Sequence, residues 1–207
     1  PPSVHDIPML IGITADETAA FIDVVLEEPI PDDAALMAKM VRFGGARIAE
    51  VSRAQQLLAI YRKAMPSLTR TELLVRITTD LGMWRNALTQ AERKHAAGGA
   101  PAFVYEFGWK TPSFGGNWSL HALEIPFMFG NQDYGVSWDI RDSPAVRAAA
   151  DPNHDYLRLT EQMVAIWTSF ARTGNPAIAS LGSWPAYSPE KRSTMLLDHN
   201  SHLTDGM

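Results

Sequence analysis

"IPMLIGITADET", Ile7 to Thr18, decides how this chain is read. Its first eight residues form a short apolar run that starts after Asp6 and turns polar at Thr14. A run of this length, rich in β-branched residues, predicts a strand buried on both faces, as in a parallel sheet covered by helices. It ends in a loop that carries two adjacent carboxylates, Asp16 and Glu17. On composition alone such a pair is more often a helix cap or a solvated loop pair than a site.

A second strand follows much later. "PAFVYEFGW" (Pro101 to Trp109) sets Phe103, Tyr105 and Phe107 in alternation with Val104 and Glu106, and its aromatic and β-branched content suits a sheet. The loop after it, beginning "KTPSFGGNW", leads into "SLHALEIPFMFG" (Ser119 to Gly130), where His121 stands in a mostly apolar run. A lone histidine in such a run is ordinarily a core residue satisfied by hydrogen bonds.

Between the two strands the pattern is helical. Asp32 and Asp33 suit a helix N-terminus, "DAALMAKMVRF" is apolar at three- and four-residue spacing, and Gly44-Gly45 breaks it. A second helix is expected through "ARIAEVSRAQQLLAIYRKA", up to Pro66. One or two more run from a cap at Ser67 or Thr69 to Gly98-Gly99. After His121, Tyr156 to Thr173 reads as a strongly amphipathic helix that Gly174 and Pro176 end. "STMLLD" (Ser193 to Asp198) reads as an edge strand, and the tail from His199 to Met207 as frayed.

The order of elements predicts an α/β fold. Three strands are too few to cover the apolar faces of so many helices, so either the helices pack among themselves or further strands lie outside this chain. The N-terminus, opening on Pro-Pro, reads as a linker or a cut point.

Composition narrows the function classes. At 207 residues with 46% apolar content the chain can bury a real core, and the net charge of −5 is spread without charged blocks. Basic residues form no clustered face with exposed aromatic platforms, so nucleic acid is not an expected partner. No run approaches the roughly 20 apolar residues that span a bilayer, so no membrane partner is expected. The absence of cysteine excludes disulfides, cysteine nucleophiles and thiolate metal sites, and suits a cytoplasmic location. The remaining histidines, His5, His95, His154, His199 and His202, show no helical pairing of the kind zinc uses. No metal and no cofactor are expected.

In an open α/β sheet, functional groups gather on loops at the carboxyl ends of strands. Both strong strands feed such loops, and a carboxylate that holds one imidazole nitrogen is two thirds of a nucleophilic triad. "LIGITADETAAF", "TTDLGMWRNALTQAERKHAAGGAPAFVYEFGW", "GGNWSLHALEIPFMFGN" and "WTSFARTGNPAIASLGSWPAYSPEKRSTMLLD" resemble, in that order, the C-terminal part of type-B carboxylesterases, the group of para-nitrobenzyl esterases and cholinesterases. The resemblance runs along nearly the whole chain, so residues 1–207 are expected to be the C-terminal segment of a single α/β-hydrolase domain.

The resemblance implies hydrolysis of small-molecule carboxylic esters by a Ser-Glu-His triad. Glu17 matches the family's triad acid and His121 its general base. Asp16, Glu124 and Trp118 are the supporting candidates: Glu124 is expected to fix the histidine loop by hydrogen bonding, and Trp118 either narrows the pocket or anchors its loop from the core. Trp84 and Trp109 are expected in the core. Thr18 stands where many relatives carry glycine, and Trp118 is a second departure from the family pattern.

The nucleophile is not found. No serine here stands in Gly-x-Ser-x-Gly, which small flanking residues require on a tight strand-to-helix turn. The nearest, Ser113 in "TPSFG", reads as a loop serine. The serine and the Gly-rich oxyanion hole are therefore expected on an N-terminal portion of the same esterase, as the chain's partner, and the chain alone is expected to be inert. Two rival readings remain at the level of sequence: a non-catalytic, cholinesterase-like adhesion domain, and an unrelated α/β binding module.

Overall fold

The computed structural model describes residues 5–22, 29–111, 118–131 and 144–207. Their order is β1 (Met9–Thr14), α1 (Asp33–Phe43), α2 (Val51–Ala64), α3 (Arg70–Thr79), α4 (Arg85–Ala96), β2 (Ala102–Phe107), α5 (Ile125–Phe129), α6 (Pro144–Ala150), α7 (Asp155–Thr173), β3 (Thr194–Leu197) and β4 (His202–Thr204). Ser113 and most of the "KTPSFGGNW" loop lie outside the described residues, as do Pro1 and Pro2.

The strands form one sheet in the order β1-β2-β3-β4. β1 and β2 run parallel with Met9 opposite Ala102 and Thr14 opposite Phe107. β2 and β3 are also parallel, and β4 closes the far side antiparallel to β3.

β2 is buried at every residue, and its alternation sorts two cores. Phe103, Tyr105 and Phe107 point into the larger cluster with residues of α1, α2, α3 and α7. Ala102 and Val104 join the smaller one with Ile13, Trp84 and the apolar face of α4. Trp84 and Trp109 are core residues, as expected.

β1 differs from the expectation. Met9 to Gly12 are only half-buried, because β1 is the sheet's edge among the described strands. Gly12 brings the two parallel strands close: a Cβ there would lie 2.4 Å from the Tyr105 carbonyl oxygen and 2.5 Å from its ring.

The helices start and stop where local chemistry directs. The Asp32 side chain accepts the Ala35 N–H at the start of α1. Thr69 and Glu72 form a reciprocal capping box at the start of α3. Gly174, at φ +74°, ends α7. Asp33 ties the first three helices together, pairing with Arg62 at the end of α2 and with Arg70 at the start of α3.

Three expectations are corrected. The second helix is not continuous: Gly45–Ile48 is a 3-10 turn, and α2 begins only after Glu50, whose backbone is extended. The strand after Pro189 is not an edge, since β3 is flanked on both sides. Residues beyond His199 do not all fray; His202–Thr204 pairs with Thr194–Leu196, so the sheet has four strands where three were expected. Between α3 and α4 a π-helical turn, Asp80–Trp84, interrupts what the sequence reads as plain helix.

Gly12→Ala tests the strand spacing. The extra methyl has no room beside Tyr105, so the variant should lose about 1–3 kcal/mol, as overpacked sites do. A denaturation midpoint equal to that of the parent chain would refute this packing.

Candidate active site

Because β1 and β2 are parallel and end in register at Thr14 and Phe107, the loops that follow leave the sheet at the same edge. The Ala15 N–H donates to the Phe107 carbonyl at 2.8 Å, carrying the ladder one step further. Asp16 and Ser119 then clasp the two loops. The Asp16 N–H donates to the Ser119 carbonyl at 3.1 Å, and the Ser119 N–H donates to Asp16 Oδ2 at 2.8 Å. The Ser119 hydroxyl donates to the Phe107 carbonyl at 2.8 Å.

One residue beyond Asp16 and two beyond Ser119 stand Glu17 and His121. Glu17 opens the 3-10 turn Glu17–Ala20 and is 4% exposed. Its Oε1 accepts the Thr14 N–H at 2.9 Å. Its Oε2 accepts a hydrogen bond from His121 Nδ1. A carboxylate only accepts, so Nδ1 carries the hydrogen and the neutral imidazole has its lone pair on Nε2.

The two side chains differ in access. That of Glu17 is 6% exposed and that of His121 is 45% exposed, so the carboxylate is inside and the ring reaches outward. Leu120, Leu123 and Phe127 are buried around the histidine loop, and Ala122 bends it with φ +66°. Phe21, at the end of the acid turn, packs its ring 4.9 Å from the imidazole.

Glu124 lies on the same loop. Its backbone carbonyl accepts the Met128 N–H at 3.0 Å, but its Oε2 is buried with no hydrogen-bond partner among the described residues. Burial pushes its carboxyl up to about 7; the Glu17 charge adds to the shift, while its own backbone N–H and His121 oppose it. The hydrogen bond that its carboxyl receives comes from its own backbone N–H, within the histidine loop.

Asp16 is raised by burial too, against the lowering effect of the Ser119 N–H. Glu106 on β2 is raised by burial, and Arg76 opposes it from 3.7 Å. Arg76 also donates from Nε to Asp80 Oδ2 at 3.0 Å. Trp118 is 6% exposed and its carbonyl accepts the Thr111 N–H at 2.9 Å, so it anchors its loop. It also lines a cavity of about 220 Å³ with Asp16, Lys110, Glu72, Arg76 and Leu68.

The Asp16–Ser119 clasp and the Phe21 contact were not legible in the sequence. Both are long-range pairings that no local spacing announces.

Among the described residues, one group could offer three ligands to a metal: Asp151, Asp155 and His199, with donor atoms within 4.8 Å of one another. Asp151 already accepts the Tyr156 N–H and Asp155 already pairs with Arg158. No described helix is long and apolar enough to cross a membrane.

Comparison with known proteins finds relatives along nearly the whole chain. Residues 2–207 match the model of the carboxylesterase family. The chain is 33% identical over 198 residues to the para-nitrobenzyl esterase of Bacillus subtilis, covering 93% of this chain and 34% of that protein. It is 23% identical over 197 residues to liver carboxylesterase 1 of Mus musculus, covering 89% of this chain and 32% of that protein. Among solved structures, a carboxylesterase of Geobacillus stearothermophilus superposes with a TM-score of 0.71 at 28% identity, over 96% of this chain and 38% of its own. A para-nitrobenzyl esterase superposes with a TM-score of 0.66 at 29% identity, over 96% of this chain and 36% of its own. The chain thus spans about a third of the length of these relatives. On the family match over residues 2–207, this chain belongs to the carboxylesterase family and has the C-terminal portion of an α/β-hydrolase fold.

Proposed function

We propose that this chain supplies the acid and the base of a Ser-Glu-His triad that hydrolyses small-molecule carboxylic esters. The observation that carries this reading is the hydrogen bond from His121 Nδ1 to the buried Glu17 carboxylate, made between two loops at one end of a parallel strand pair. His121 takes the proton of an attacking serine at Nε2 and returns it to the leaving alcohol. Glu17 holds the ring in the required tautomer and stabilises the imidazolium that forms in between.

The serine and the oxyanion hole belong, in this reading, to an N-terminal portion of the same α/β-hydrolase domain. No serine of residues 1–207 stands in Gly-x-Ser-x-Gly. The half-buried apolar strand β1 leaves one edge open for further strands, which supports a partner portion on that side. Asp16 serves the clasp between the loops, Trp118 anchors the second loop, and Glu124 shapes the electrostatics beside His121. A non-catalytic adhesion role has no use for a buried carboxylate that holds an outward-facing imidazole. A cytoplasmic setting agrees with the cysteine-free sequence.

The chain alone should not react with a fluorophosphonate probe, and should do so when joined to or co-expressed with the N-terminal portion. Labelling of the isolated chain would overturn the division of the triad. In the complete enzyme, His121→Ala should lower kcat by about 10⁶-fold on a para-nitrophenyl ester, and Glu17→Gln by about 10⁴-fold, since loss of the orienting acid disturbs the tautomer. Steady-state kinetics on folded variants checks both.

Glu124 gives a pH prediction. Its carboxyl lies above the ordinary 4.5, up to about 7, so the folded state holds a proton that the unfolded state releases. That contribution is full below pH 4.5 and is lost as pH rises through about 7. Glu124→Gln has no such loss, so its melting temperature should gain on the parent's steadily across that window. A constant difference between the two melting curves from pH 4.5 to 8 would contradict a neutral Glu124.

A further inference from the structure

The acid turn is held by more than its own backbone. Thr18, the residue after Glu17, reaches α3 with its hydroxyl and its amide. Thr18 Oγ1 lies 2.7 Å from Thr78 Oγ1, 3.0 Å from Thr79 Oγ1 and 3.1 Å from the Val75 carbonyl. The Thr18 N–H donates to Thr79 Oγ1 at 3.3 Å. The Thr78 hydroxyl in turn donates to the Leu74 carbonyl at 2.7 Å.

The hydrogens of this cluster can all be placed. Thr78 gives its proton to Leu74, Thr18 shares its hydroxyl proton between the Thr78 oxygen and the Val75 carbonyl, and Thr79 gives its own to Thr18 while accepting the Thr18 amide. No hydroxyl is left without an acceptor, although Thr79 is fully buried and Thr78 is 6% exposed. A buried polar network that is fully satisfied fixes its members rigidly; one that loses a member leaves the others unpaired. Ala19 and Ile22, buried on the same turn, provide the apolar half of the seat in the main core.

We infer that Thr18 is a positioning residue: its hydroxyl pins the acid turn to α3 and thereby fixes the Glu17 carboxylate against His121 Nδ1. The inference rests on the reading of Glu17 and His121 as acid and base. Glu17 receives its second oxygen's partner, the Thr14 N–H, from the strand side. Thr18 holds the other side of the same residue. Without the pin, the 3-10 turn Glu17–Ala20 keeps the Thr14 bond to the Glu17 carboxylate and the Thr18 amide bond to Thr79 but loses its hydroxyl contacts to Thr78, Thr79 and Val75 on α3. A carboxylate that wanders by a fraction of an ångström stabilises the imidazolium less, so both the rate and the base's apparent pKa fall.

The test uses the complete enzyme, with the N-terminal portion present, and the variants Thr18→Val and Thr18→Ser. Valine keeps the shape and removes the hydroxyl; serine restores it. Thr18→Val should lower kcat by about 5- to 30-fold, the range that one or two lost hydrogen bonds produce, with KM unchanged. The acid limb of its kcat/KM profile should move to lower pH, and Thr18→Ser should return both to within about twofold of the parent. The far-downfield proton resonance of His121 Nδ1–H, read in histidine-labelled protein, should shift or broaden in Thr18→Val and recover in Thr18→Ser.

Should Thr18→Val fail to fold, Thr79→Val against Thr79→Ser reads the same contact from the helix side. A variant that melts earlier but keeps the parental kcat, acid limb and resonance would make Thr18 a stability residue only and overturn the inference. Full activity in His121→Ala would instead remove the acid–base reading, and the resonance alone would then decide whether Thr18 positions Glu17.

Discussion

The parallel pairing of β1 with β2 is the constraint on which the site depends. Glu17 and His121 are separated by 104 residues, yet each follows a strand by a loop. In a parallel pair both strands point the same way, so both loops leave at one edge. The register that sets Thr14 opposite Phe107 makes the loops start level. Gly12 allows the Tyr105 backbone and ring to lie against β1, which keeps the pair close enough for Ala15 to extend the ladder to Phe107. Of the helices inserted between the strands, α4 packs against both β1 and β2.

The two loops then have unequal tasks. The first reaches its carboxylate in three residues and is held by the Thr14 amide on one side and by the contacts of Thr18 with α3 on the other. The second is long and must come back to the sheet before it can offer a histidine. Ser119 accomplishes the return with three hydrogen bonds, two to Asp16 and one to Phe107. Trp118, buried just before it, adds the apolar anchor and the bridge to Thr111. A clasp of this kind makes the site a property of the junction between loops, so neither loop holds its geometry alone.

What could be read from the sequence follows the range of the forces. β1, β2, the capping box at Thr69 and the end of α7 are local: hydrophobic period, capping side chains and a left-handed glycine decide them. β4 was not legible, because His202–Thr204 is short and partly polar and becomes a strand only by pairing with β3. The break before α2 belongs to the same class, since nothing in "ARIAEVSR" spells a stop; Arg47, held by a 2.9 Å bond to Asn86, lies in the separate 3-10 turn. The pairing of Glu17 with His121 was suggested by the loops at the strand ends and by family motifs, not by local pattern. Local statistics place His121 in the core and Asp16-Glu17 in solvent, and the structure does the reverse for each in part: the ring is half exposed and Glu17 is buried.

That reversal also sorts the carboxylates at this end of the strands. Asp16, Glu17, Glu106 and Glu124 gather at the strand ends, and so many acids in a poorly hydrated place repel one another. Donors separate their roles. Glu17 receives the Thr14 amide and the His121 ring, so its burial is compensated on both oxygens. Asp16 receives the Ser119 amide, and Glu106 has the Arg76 guanidinium beside it, yet burial outweighs either help and raises both. Glu124, with an oxygen that finds no partner among the described residues, is raised to about 7. The carboxylate with two donors aimed at it is the one in contact with the histidine, while the acids with fewer donors are pushed toward the neutral form that disturbs this pair least.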